Sequence, residues 1–103
     1  METININFSG GTETIELLVG NYLIQGSGTL SSNFTITAGS PLFIGRKHIL
    51  FFKGLVNRAS YNFNVLGTNL TDLQLSREST IEAVYNGTTW DLNVYINTVS
   101  DDW

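Results

Sequence analysis

His48 is the only histidine among 103 residues, and the chain has no cysteine. A His- or Cys-based metal cluster is therefore excluded, and any acid–base scheme would depend on one imidazole. Its neighbours Arg46 and Lys47 are basic and disfavour the imidazolium, so His48 reads as a strand residue at a sheet surface or a subunit contact. The carboxylates Asp72, Glu78, Glu82 and Asp91 fall in or beside the last strands, where a cation site or a glycosidase-like pair would draw on them. Their spacing follows neither pattern, and scattered acids on solvent faces explain them. Gly26-Ser27-Gly28 lacks the strand-to-helix elbow of a serine nucleophile, and phosphate-binding glycine loops are missing. The expectation is a protein that is not an enzyme, with no catalytic residues, no metal and no cofactor.

The aromatic residues offer binding instead of catalysis. In Ile49-Leu50-Phe51-Phe52-Lys53 the two phenylalanines point to opposite faces of a strand, so one ring leaves the main core. Phe51 and Phe52 are thus candidate partner contacts, with cover by a neighbouring loop as the alternative. Trp90 falls on an apolar strand face and is expected in the core. Trp103 follows Asp101-Asp102 at the end of the sequence and is the third candidate partner contact, either docked on a neighbour or folded back.

The elements that must position these groups are strands. Asn86-Gly87 accepts the turn conformations of a hairpin, and alternating runs flank it. A two-residue loop pairs Glu82 with Asp91, an unfavourable like-charge pair; a four-residue loop from Asn86 to Thr89 pairs Tyr85 with Trp90 and Glu82 with Asn93. Both registers keep Ile81, Ala83, Tyr85, Trp90, Leu92 and Val94 on one face, because the slip is even. Period-2 alternation recurs at Ile4, Ile6 and Phe8, at Tyr22 and Ile24, at Phe34 and Ile36, at Tyr61, Phe63 and Val65, and at Leu73 and Leu75. Glycine- and serine-rich breaks separate these runs. The expected fold is all-β, a compact antiparallel sandwich or barrel of eight to nine short strands. Its expected core includes Tyr22, Ile24, Phe34, Ile36, Phe63, Val65, Leu73, Ile81, Tyr85, Trp90, Leu92 and Val94. Leu42 to Lys53 reads as one long strand bent at Gly45 or as two shorter ones.

Length supports one domain over 1–103, with residues 1–9 as a first strand or an N-terminal arm and 97–103 as a docking tail. A formal charge of −4 argues against nucleic acid, whose phosphates need a basic footprint. The N-terminus lacks the charge and apolar run of a secretory signal, and no apolar stretch approaches the ~20 residues that span a bilayer. The expectation is a chain made in the cytoplasm with no membrane segment.

Ser76-Arg77-Glu78-Ser79, the strand Ile81 to Tyr85 and Asn86-Gly87-Thr88-Thr89-Trp90 resemble the closing element of small β modules of bacteriophage virion proteins. Upstream, Ile49 to Gly54 and Tyr61 to Val65 are similar to an aromatic-Lys strand and the strand that follows it in such modules. The resemblance covers residues 20 to 96 and leaves 1 to 19 unplaced. It implies a virion structural protein, a homo-oligomer (a trimer) bound to capsid or other virion proteins. An auxiliary capsid-decorating protein is the first reading, and a tail or fibre component that binds a host-surface glycan is the second.

Overall fold

The computed structural model describes residues 1–10 and 14–97. Eleven short strands and one helical turn follow one another: β1 Glu2–Asn5, β2 Thr14–Leu17, β3 Tyr22–Gln25, β4 Gly28–Thr29, β5 Phe34–Ala38, β6 Lys47–Lys53, β7 Val56–Asn57, β8 Phe63–Val65, β9 Thr68–Asn69, α1 Asp72–Leu75, β10 Thr80–Tyr85 and β11 Trp90–Tyr95. The fold is mainly β, in three sheets that do not close into a barrel.

The pairing is largely parallel, which corrects the expected antiparallel sandwich or barrel. β1, β3 and β6 are parallel neighbours, as are β2, β5 and β8, and β4 pairs parallel with β7. The chain thus winds in three successive passes, each laying a strand on one side before turning to the next. Parallel strands need a crossover, and here the other two sides of the coil supply it in place of a helix. After the third pass the chain reverses: β9 pairs antiparallel with β8, and β10 pairs antiparallel with β6 and β11.

Stacked passes place like side chains over one another. Phe34 lies over Phe63 with ring centroids 4.9 Å apart, and Phe8 from the first pass meets them at 5.1 and 5.6 Å. Ile4, Ile24 and Phe52 form one inward column; Ile15, Ile36 and Val65 form another. Phe8, Ile24, Phe34, Ile36, Leu50, Phe63, Val65 and Ile81 are buried together. At roughly 1.5–3 kcal/mol for each fully buried large apolar side chain, this column is the main favourable term of the fold.

Most of the expected core is inside, with two differences. Leu73 is half exposed, because residues 72–75 form a helical turn and not a strand. Its N-cap Thr71 accepts from the Gln74 amide while the Gln74 side chain accepts from the Thr71 amide, a reciprocal capping box that closes the turn. Tyr85, Trp90, Leu92 and Val94 are half-buried, since β11 is the edge of its sheet and its inner face is covered only in part. The hairpin takes the four-residue loop, with Tyr85 opposite Trp90 and Glu82 opposite Asn93. The Asn86 side-chain oxygen Oδ1 accepts from the backbone amides of Thr88 and Thr89, which satisfies the loop internally.

Candidate interaction surface

The polar residues Arg46 and His48 are as deeply buried as Phe8, Phe34 and Phe63. Alternation along β6 turns His48 and Leu50 inward, and Arg46 enters the same side from the preceding loop. Arg46 Nε donates to His48 Nε2 at 3.1 Å; its terminal nitrogens donate to the carbonyls of Gly39, Pro41 (2.9 Å) and Leu17 (3.3 Å). The imidazole Nδ1–H in turn donates to the Gly20 carbonyl at 2.6 Å. These bonds require the neutral Nδ1–H tautomer. Burial holds His48 below its ordinary value of 6.5; the Gly20 bond opposes that shift and the Arg46 charge adds to it. The Trp90 ring closes the cluster, 5.4 Å from the imidazole and 5.9 Å from the guanidinium carbon.

The cluster fixes the corner at which one pass turns into the next. Residues 18–21 connect β2 to β3, and residues 39–46 connect β5 to β6. Both connections are tied to Arg46 and His48, and the Gly39 amide donates to the Leu17 carbonyl at 2.9 Å. The Tyr22 phenol donates to the Leu18 carbonyl and accepts from the Leu18 amide, at 2.9 and 2.8 Å. On the far side the Gly45 amide donates to the Tyr85 carbonyl at 2.8 Å, which docks the loop on the β10–β11 hairpin.

With their backbones held in this way, the side chains at the loop tips face solvent. Leu18, Val19, Leu42, Phe43 and Ile44 are all exposed, Ile44 to 78 %. No charged residue occurs from Leu17 to Gly45, so nothing in the corner's own sequence offsets this apolar surface. A small domain that presents a ridge of exposed apolar side chains on two loops tied to one buried pair carries the signature of a contact site.

A second apolar feature lies on the outer face of the five-stranded sheet. Phe51 is 38 % exposed there, with Leu23 of β3 and Thr80 of β10 beside it in register and the exposed Tyr95 beyond Thr80 on β11. Phe52 points the other way, onto the core, with its ring edge-on to Phe63 at 6.0 Å. Of the two adjacent phenylalanines Phe51 is therefore the one that leaves the core. Trp103 lies outside the described residues. A shallow groove of about 690 Å³ runs between the β4–β7 pair and α1, with Leu55 and Leu73 on its walls.

The apolar corner was absent from the sequence expectations, which took Leu42 to Lys53 as one bent strand or two shorter ones, whereas the strand begins at Lys47. The corner's signal was there: Leu17-Leu18-Val19 and Leu42-Phe43-Ile44 are runs of three apolar residues ending at a glycine. A two-sided strand cannot turn all three inward, so at least one must emerge.

The ionisable groups on the surface form ordinary pairs. Lys47 meets Glu82 at 3.2 Å across β6 and β10, and Arg58 meets Asp72 at 2.8 Å. Among the described residues no group of three or more His, Cys, Asp or Glu side chains converges. No family model, no curated protein and no solved structure matches the chain.

Proposed function

We propose that this protein is a structural component of a bacteriophage particle, an auxiliary protein that coats or stabilises the capsid and contributes no catalysis. The observation that carries this reading is the apolar corner. Five large apolar side chains are held in water by a buried network whose bonds go to backbone carbonyls, so burial for the network's own sake leaves the ridge uncovered. Docking on another virion protein, or on a second copy in a homo-oligomer, covers it. Phe51 on the outer sheet face is a further contact of the same kind. The single imidazole supports the reading as well: both its nitrogens are engaged in holding the corner, away from solvent.

The alternative, a tail or fibre component that binds a glycan, would use exposed aromatics beside free amide side chains. Tyr61 is exposed and Asn62 follows it. Yet the Asn33 side-chain Oδ1 accepts from the Asn62 backbone amide, Asn69 Nδ2 donates to Asn62 Oδ1, and Asn69 Oδ1 accepts from the Phe63 backbone amide. Those amides are committed to the fold, which favours the decorating role. Native mass measurement of the purified chain, followed by mass spectrometry and cryo-imaging of purified particles, tests the proposal. The expected result is an oligomer in solution and a fixed copy number on the particle. A strictly monomeric chain that is absent from particles overturns it.

A further inference from the structure

Arg46 and His48 hold the apolar corner by a bond that exists in only one protonation state. The Nε2 lone pair of the neutral ring receives the Arg46 Nε–H, while Nδ1–H serves the Gly20 carbonyl. A proton on Nε2 would turn this acceptor into a donor and set two cations 3.1 Å apart in a buried site. We propose that His48 is an acid-sensing element of the corner: its protonation breaks the Arg46–His48 bond and releases the loops 18–21 and 39–45 that carry Leu18, Val19, Leu42, Phe43 and Ile44. The inference rests on the reading of that ridge as the docking surface, and supplies its regulation.

From β2 the exposed Glu16 lies beside Gly39, where an added Cβ would stand 2.8 Å from its Oε1, but it bonds to neither Arg46 nor His48. From β3 the group that faces the imidazole is Tyr22, whose ring is 6.1 Å away and whose phenol is engaged at Leu18. From β10 it is Ala83, in register with His48, and from β11 the Trp90 ring with Tyr85 behind it at 5.2 Å. From its own segment it is Arg46. Lys47 and Glu82 occupy the opposite face of the sheet and pair with each other. Among the described residues no carboxylate bonds to either member of the pair.

The sign follows directly. In the unfolded chain the imidazole takes a proton near pH 6.5, whereas the folded corner resists it. The unfolded or opened state therefore binds more protons, and the corner loses stability as pH falls from about 6.5 through the folded value. Above that window the neutral ring keeps the corner closed.

Because the chain has one histidine, its ring resonances report this titration without overlap. The test is NMR of the full chain from pH 7.5 to 4.5, with amide exchange corrected for its intrinsic pH dependence. His48 should titrate below 6.5, and the hydrogen-bonded amides of Leu18, Gly39, Gly45 and Arg46 should lose about tenfold or more of their protection as it does, while those of β5 and β8 hold. His48→Gln keeps a donor and an acceptor at this place but does not titrate, so its corner should stay protected across the range. A wild-type corner that stays protected while His48 titrates, a His48 value at or above 6.5, or a His48→Gln corner that opens over the same range overturns the proposal. If His48→Gln does not fold, the wild-type titration alone decides. A corner that opens with His48 in a protein that binds no particle removes the docking role and leaves the switch. A corner that stays closed in one that binds particles removes the switch alone.

Discussion

The coil turns at two kinds of corner, and they are built on opposite principles. Where β3 and β6 hand over to β4 and β7, the passes stack backbone on backbone: a Cβ on Gly26 would lie 1.9 Å from the Ile6 carbonyl oxygen, and one on Gly54 would lie 2.1 Å from that of Gly26. Nothing larger than hydrogen fits at either glycine. Where β2 and β5 hand over to β3 and β6, the passes are spaced by buried side chains, Arg46 and His48, which bond the loop carbonyls and leave apolar residues outside. The tight corner is held by close backbone packing. The wide corner spends a buried cation on holding a surface, and a surface is what a docking protein needs.

The largest effect should come from the wide corner. Arg46→Leu leaves the carbonyls of Gly39 and Pro41 and the His48 Nε2 without the guanidinium donor and takes one of two donors from the Leu17 carbonyl, and should destabilise the protein by about 4 kcal/mol, read by urea denaturation. A loss below about 1 kcal/mol would mean that water replaces the guanidinium and that the corner is not dry. At the tight corner, Gly26→Ala or Gly54→Ala forces the backbone apart and should cost about 3 kcal/mol by the same measurement. Gly54 has a second reason for the loss: its φ is +108°, and its amide donates to Glu78 at 2.9 Å. Trp90→Ala should cost about 2 kcal/mol, less than a fully buried tryptophan, because the ring is half-exposed on an edge strand. Equal loss at Trp90 and at the glycines would show that the hairpin is as central as the coil.

What the sequence revealed of this comparison depended on how local each signal was. The β10–β11 hairpin was legible because Asn86-Gly87 and the flanking alternation lie within fifteen residues, and the like-charge clash of Glu82 with Asp91 already disfavoured the shorter loop. The parallel coil was not, since its partners Glu2, Tyr22 and Leu50 are far apart and the connections differ in length, residues 18–21 against residues 39–46. Unequal passes leave no fixed period to detect. Leu73 and Leu75 imitated a strand because two positions cannot distinguish periods, although Thr71 and Gln74 spelled a capping box. Phe51 and Phe52 were correctly seen as divided between two faces, whereas the choice of Phe51 as the outward ring required the sheet itself. His48 read as a strand residue at a sheet surface or a subunit contact, yet it is buried beside Arg46; only the folded loops bring the carbonyls that make that burial tolerable.

The smallest effect on stability should accompany the largest on association. Replacing both Phe43 and Ile44 by serine at the loop tips removes exposed side chains and should change the unfolding free energy by no more than about 0.5 kcal/mol. The affinity of the purified double variant for purified particles, measured beside wild type by co-sedimentation, tests the docking role most directly. A loss of about tenfold or more with the fold intact is the expected result. Binding as tight as wild type would contradict it and leave the apolar corner without a partner on the virion.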